Sequence, residues 1–166
     1  MPLIEGLLQE LEQEAKTTRR VLERVPDNKL SWRPHPKART LGELALHVAT
    51  VPGGVAALVS SPSPAQAPDF KDPAPKSASE LVPALDQSIA NVKKLLGSMD
   101  DSTLMSTWRL MRGDRELFAV PRLALLRSVM LNHWYHHRGQ LTAYLRELDV
   151  PIPSIYGPSA DENPFM

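Results

Sequence analysis

The chain has 166 residues, 42% of them hydrophobic, which suits one globular domain with a sizeable core. Its 19 Lys plus Arg balance 19 Asp plus Glu, and zero formal charge argues against a mainly electrostatic nucleic-acid binder. Cysteine is absent, so disulfides and thiolate metal ligands are excluded, and any thiol used in chemistry must come from outside the chain.

The N-terminus, Met1-Pro2-Leu3-Ile4-Glu5, lacks a basic stretch followed by an apolar core, and no apolar run reaches membrane-spanning length. The expectation is a cytoplasmic protein with no membrane contact. A first amphipathic helix carries Ile4, Leu7, Leu8, Leu11, Ala15, Thr18, Leu22 and Val25 at three-four spacing and ends near Pro26. Residues 27–39 hold Pro34 and Pro36 and read as a loop. Thr40-Leu41-Gly42-Glu43 has the form of a capping box, opening a second helix with the stripe Leu44, His47, Val51, Val55, Leu58. Pro52-Gly53-Gly54 predicts a kink or break in it.

Residues 60–76 contain Pro62, Pro64, Pro68, Pro73 and Pro75, so they read as a long surface crossover. Ser77-Ala78-Ser79-Glu80 has the form of a second capping box. The third stripe is Leu81, Leu85, Ser88, Val92, Leu95, Leu96 and Met99, with Pro83 in the first turns, where its missing amide does least harm. Residues 100–120 lose the helical period. Here 108–111 and 116–120 suit a short hairpin around Arg112-Gly113-Asp114-Arg115. The fourth helix runs from Pro121 to Glu147, and an irregular proline-rich tail follows from about residue 150. The reading is a single all-α domain over residues 1–166. It is an up-down-down-up type four-helix bundle with a Pro-rich crossover between helices two and three and a short hairpin before helix four.

The fourth stripe reads Leu126, Met130, His133, His137, Leu141, Leu145. Two imidazoles one turn apart replace apolar residues in the middle of a buried face. His47 does the same in helix two. Inward polar rings need partners. One reading is a shared divalent metal held by His47, His133 and His137 with a position left open. The other is a set of core histidines bonded to waters or side chains. His136 lies off the stripe, and His35, between two prolines, reads as a loop histidine. Glu43 shares a face with His47, but capping is the simpler role. Trp134 and Tyr135 read first as core filling.

Three stretches together resemble the DinB/YfiT-like superfamily of metal-binding four-helix bundles. They are Leu41-Gly42-Glu43-Leu44-Ala45-Leu46-His47, then His133-x-x-x-His137-Arg138-Gly139-Gln140-Leu141, and last the tail with Pro151-x-Pro153 and Tyr156-Gly157-Pro158-Ser159. The resemblance covers nearly the whole chain. It implies zinc or nickel on His47, His133 and His137. It implies further an enzyme acting on a small electrophilic molecule, either as a transferase using a low-molecular-weight thiol or as a hydrolase. The alternative is a non-enzymatic, metal-stabilised stress-response or structural bundle, for which Glu43, Asp161 or Glu162 would supply a closing fourth ligand. A bundle that binds no metal is the third reading. A homodimer is expected, and the crossover and tail are expected to cover the pocket mouth.

Overall fold

The structure, a computed structural model, describes residues 2–69, 71 and 73–166. Helix α1 spans Leu3–Leu22, α2 Leu41–Ser60, α3 Leu81–Leu96 and the short α4 Asp101–Met105. The fourth expected helix is one rod in three parts: α5 (Arg122–Leu125), a π-helical segment (Leu126–Asn132) and α6 (His133–Glu147). The residues flanking each junction keep right-handed helical dihedrals, so the rod is continuous.

Side-chain pairs fix the helix directions. Glu12 and Arg19 of α1 pair with Lys93 and Asp86 of α3, so those helices run antiparallel. Glu10 and Glu14 pair with Arg127 and Arg138 of the rod, which therefore runs parallel to α1. On α2, Val59 meets Arg122 and Val48 meets Trp134, so α2 opposes the rod. The four long helices thus run up, down, down, up. The core fills with aliphatic side chains such as Leu11, Leu44, Leu85, Leu126 and Leu141, each shielded from water, and burial of each contributes roughly 1.5–3 kcal/mol.

A purely helical fold is not what forms. Strands β1 (Ala65–Gln66), β2 (Thr107–Arg112) and β3 (Arg115–Pro121) make a three-stranded sheet in that order. The expected hairpin is β2–β3. Its two-residue loop opens on Gly113 at φ +59°, the positive φ that a tight hairpin turn demands. The unexpected strand is β1, drawn from the Pro-rich crossover and parallel to β2. Gln66 holds it there, its side chain bonding both the amide and the carbonyl of Gly113. Of the crossover, Phe70 and Asp72 lie outside the described residues.

One local expectation holds and three need adjustment. The Thr40–Glu43 capping box forms with both bonds, at 3.1 and 2.7 Å. The second box does not: Ser77 accepts from the Ser79 amide in a 3-10 turn, and α3 begins only at Leu81. Helix α2 is not broken at Pro52 but runs through it. Proline removes the amide that would bond the Val48 carbonyl, and the Trp134 indole Nε1 donates to that carbonyl instead, at 2.7 Å. Beside it, Gly53 lets α3 approach closely: a Cβ there would lie 3.0 Å from the Ser88 backbone. Among the described residues α2 is also the one helix long and apolar enough to cross a membrane, contrary to the reading of the sequence. Its apolar composition has another cause, because it packs against both α3 and the rod at the centre of the bundle.

Candidate metal centre

Two helices bring the three sequence-identified histidines together. The capping box fixes the start of α2, and His47 follows it by one turn. His133 opens α6, and His137 lies a turn further on. The π-helical segment just before them changes the phase of the rod. Leu126 and Leu131, five residues apart, are both fully buried, whereas in an α-helix that separation would turn them roughly 140° apart. The Trp134–Val48 bond then clamps the two helices next to the histidines, since Trp134 follows His133 and Val48 follows His47.

One ligand-capable atom from each of His47, His133 and His137 lies within 4.8 Å of the others. The Nε2 atoms of His47 and His133 are 3.2 Å apart. Ring centroids are separated by 5.4, 4.6 and 4.4 Å, with the planes near perpendicular, so the rings meet edge to face rather than stacking. Zinc–imidazole bonds of about 2.0–2.1 Å on a tetrahedral ion put two nitrogens roughly 3.3 Å apart. The 3.2 Å spacing fits that edge without rearrangement. The same spacing in the absence of metal suits a shared N–H···N hydrogen bond.

The donor chemistry also fits a metal. Burial, first, and then the nearby His136 and Arg39 charges hold His133 below the ordinary imidazole pKa. Burial lowers His137 in the same way, opposed by its bond to Gln140. Both rings are therefore neutral near pH 7, the form that offers a lone pair. His137 Nδ1 lies 3.0 Å from Gln140 Oε1.

The other candidates go elsewhere. Glu43 is engaged in its capping box. Asp161 pairs with Arg146 and Glu162 with Arg20, so neither joins the histidine group. His35 is an exposed loop residue whose Nδ1 accepts the Lys37 amide. His136 is exposed, with its ring 5.0 Å from that of His137. The tail's described bonds run from Ser154, Tyr156 and Glu162 to Arg20 and Glu14 of α1, and from Tyr156 and Asp161 to Arg138 and Arg146 of the rod.

Two residues near the site had no assigned role from sequence. Gln140 could have been found by its i, i+3 spacing from His137. Arg138 is almost fully buried, with Nη2 on Glu14 Oε2 at 2.6 Å and Nη1 on Thr18 Oγ1 at 3.1 Å; it also donates to the Tyr156 hydroxyl. The guanidinium lies over the Tyr135 and Tyr156 rings.

The model of the DinB family matches residues 3–164. An uncharacterised protein of Bacillus subtilis strain 168, YrdA, is 29% identical over 160 residues, which cover 96% of this chain and 91% of YrdA. The crystal structure of a DinB-like protein from Bacillus cereus ATCC 10987 superposes with a TM-score of 0.73 at 27% identity, covering 92% of this chain and 97% of that one. A DinB-like protein of Bacillus subtilis, YjoA, shares the fold at a TM-score of 0.64 and 19% identity, over 87% of this chain and 92% of its own.

Proposed function

The chain belongs to the DinB family, and from the histidine geometry we propose that it is a metal-dependent enzyme acting on a small electrophilic molecule. The observation that carries this reading is the convergence of His47, His133 and His137 within 4.8 Å. Zinc or nickel is the metal this donor set favours, because three neutral imidazoles suit borderline divalent ions. Such an ion supplies Lewis acidity and lowers the pKa of a bound thiol or water.

The chain's own residues define the rest. His47, His133 and His137 would hold the ion. Among the described residues no carboxylate joins them, and Glu43, Asp161 and Glu162 are committed elsewhere. An open position supports catalysis over a closed structural site. Arg39 adds positive charge that reaches both His133 and His137. A thiolate is a fitting occupant of such a mouth, and with no cysteine in the chain it must come from a free low-molecular-weight thiol. Thiol transfer is therefore the preferred reaction, with hydrolysis of a small substrate as its variant, in a cytoplasmic setting.

The test is a panel of thiols and electrophiles offered to zinc- and nickel-loaded protein, with His137→Ala in parallel. Thiol-dependent consumption of an electrophile by the wild type, abolished in the variant, is expected. Equal background rates in both proteins across the panel, with metal bound to the wild type, would leave a metal-stabilised bundle instead.

A further inference from the structure

A neutral imidazole offers one lone pair, and its tautomer decides which nitrogen carries it. At His137 the structure speaks to that choice. Nδ1 lies 3.0 Å from Gln140 Oε1, one turn along the same helix face. An amide oxygen only accepts, so the hydrogen in this contact sits on Nδ1 and the lone pair on Nε2. His47 and His133 already face each other through Nε2, at 3.2 Å. We propose that Gln140 is a positioning residue that holds His137 as its Nδ1–H tautomer, so that the three imidazoles meet through Nε2. The proposal rests on the three-histidine reading above.

The choice of an amide has a consequence of its own. A carboxylate at this place would orient the ring equally well, but it would draw the Nδ1 proton toward itself, make the ring a stronger donor and add negative charge beside the site. Glutamine orients without charge. Together with three neutral rings, it leaves a bound divalent ion its full charge, which favours an anionic occupant such as a thiolate. A partner of this kind typically matters 10–100-fold in metal affinity.

The tautomer is read directly from the two imidazole nitrogen shifts of His137, using long-range 1H–15N correlation on metal-free protein near neutral pH. The wild type is expected to show a protonated Nδ1 and an unprotonated Nε2. An Nε2–H ring in the wild type would overturn the proposal, and this readout needs no variant. Gln140→Leu is expected to give a tautomer mixture and zinc binding roughly 10–100-fold weaker. Gln140→Glu is expected to keep the Nδ1–H form and restore zinc affinity to wild-type strength or above. A folded Gln140→Leu with wild-type tautomer and affinity would also overturn it. Should the wild type bind no zinc yet show the Nδ1–H form that Gln140→Leu loses, the proposed function would fail while the positioning role stands.

Discussion

His137 and Arg138 are neighbours in the chain, both are buried, and they solve opposite problems. Arg138 faces α1, where Glu14 and Thr18, with Tyr156 from the tail, satisfy its guanidinium and two tyrosine rings cover it. His137 faces α2, where it meets two further imidazoles, with no carboxylate in the group among the described residues. A buried charge with a complete set of partners is architecture. Three imidazoles gathered within 4.8 Å, one of them tied back to the Gln140 amide, form a donor set of the kind that holds a cation. Burial alone does not separate the two, whereas the state of their hydrogen bonding does.

The largest effect should come from the architectural side. Arg138→Met leaves the Glu14 carboxylate buried beside apolar groups and should cost about 3–5 kcal/mol in urea unfolding, with or without metal. The double variant Glu14→Leu/Arg138→Met should recover most of that loss, because no charge is then stranded. His137→Leu should behave in the opposite way. The metal-free protein should stay within about 1 kcal/mol of wild type, as an imidazole gives way to a residue of the core's own kind, while metal binding is lost. Equal destabilisation by Arg138→Met and His137→Leu in metal-free protein would break the comparison.

Next in size is the clamp between the two helices. Trp134→Phe removes the indole N–H from the Val48 carbonyl and should cost about 1–3 kcal/mol. Pro52→Ala returns a backbone amide to that carbonyl, so the cost of Trp134→Phe should be smaller in the Pro52→Ala background, as a double-mutant cycle would read. A cost unchanged by Pro52→Ala would mean that the bond is incidental and only ring volume matters.

Acidification sharpens the same contrast. Burial sets the folded pKa of His133 and His137 below the ordinary value of 6.5. The unfolded chain therefore takes up protons first as pH falls. The stability contributed by the neutral rings is present above about pH 6.5 and is lost as pH drops from there through the folded values. Urea midpoints of metal-free wild type should fall over that window, and less so in His133→Leu/His137→Leu. A midpoint flat in the wild type from pH 7 to 5 would contradict the neutral, buried assignment.

The smallest effect concerns the tail. Tyr156→Phe removes one hydroxyl from the Arg138–Glu14 cluster and should cost about 0.5–1.5 kcal/mol, leaving metal affinity unchanged. A loss of metal affinity larger than the loss of stability would instead place the tail at the site's mouth.

Much of this was legible in the sequence. The third stripe matches the buried face of α3 at Leu81, Leu85, Ser88, Val92 and Leu96. The histidine set followed from apolar periodicity interrupted at three positions, and the Thr40 capping box from its four residues alone. What escaped depends on partners far along the chain. Nothing local to Pro52 announces that Trp134 will supply the missing donor, 82 positions away. Nothing around Arg138 in the sequence announces its burial, because its partner Glu14 lies far up the chain. The two-residue β1 carries too little pattern to stand out among prolines. The π-helical segment buries Leu126, Met130 and Leu131, and no residue in it marks the change of phase.

The most direct measurement is metal content by mass spectrometry on protein purified without a metal-affinity tag, beside His133→Ala/His137→Ala and Arg138→Met. The account predicts about one zinc or nickel ion per chain in the wild type, none in the histidine variant, and retention in whatever fraction of Arg138→Met remains folded. A wild type that stays metal-free after incubation with both ions, or a histidine variant that keeps its metal, would contradict it.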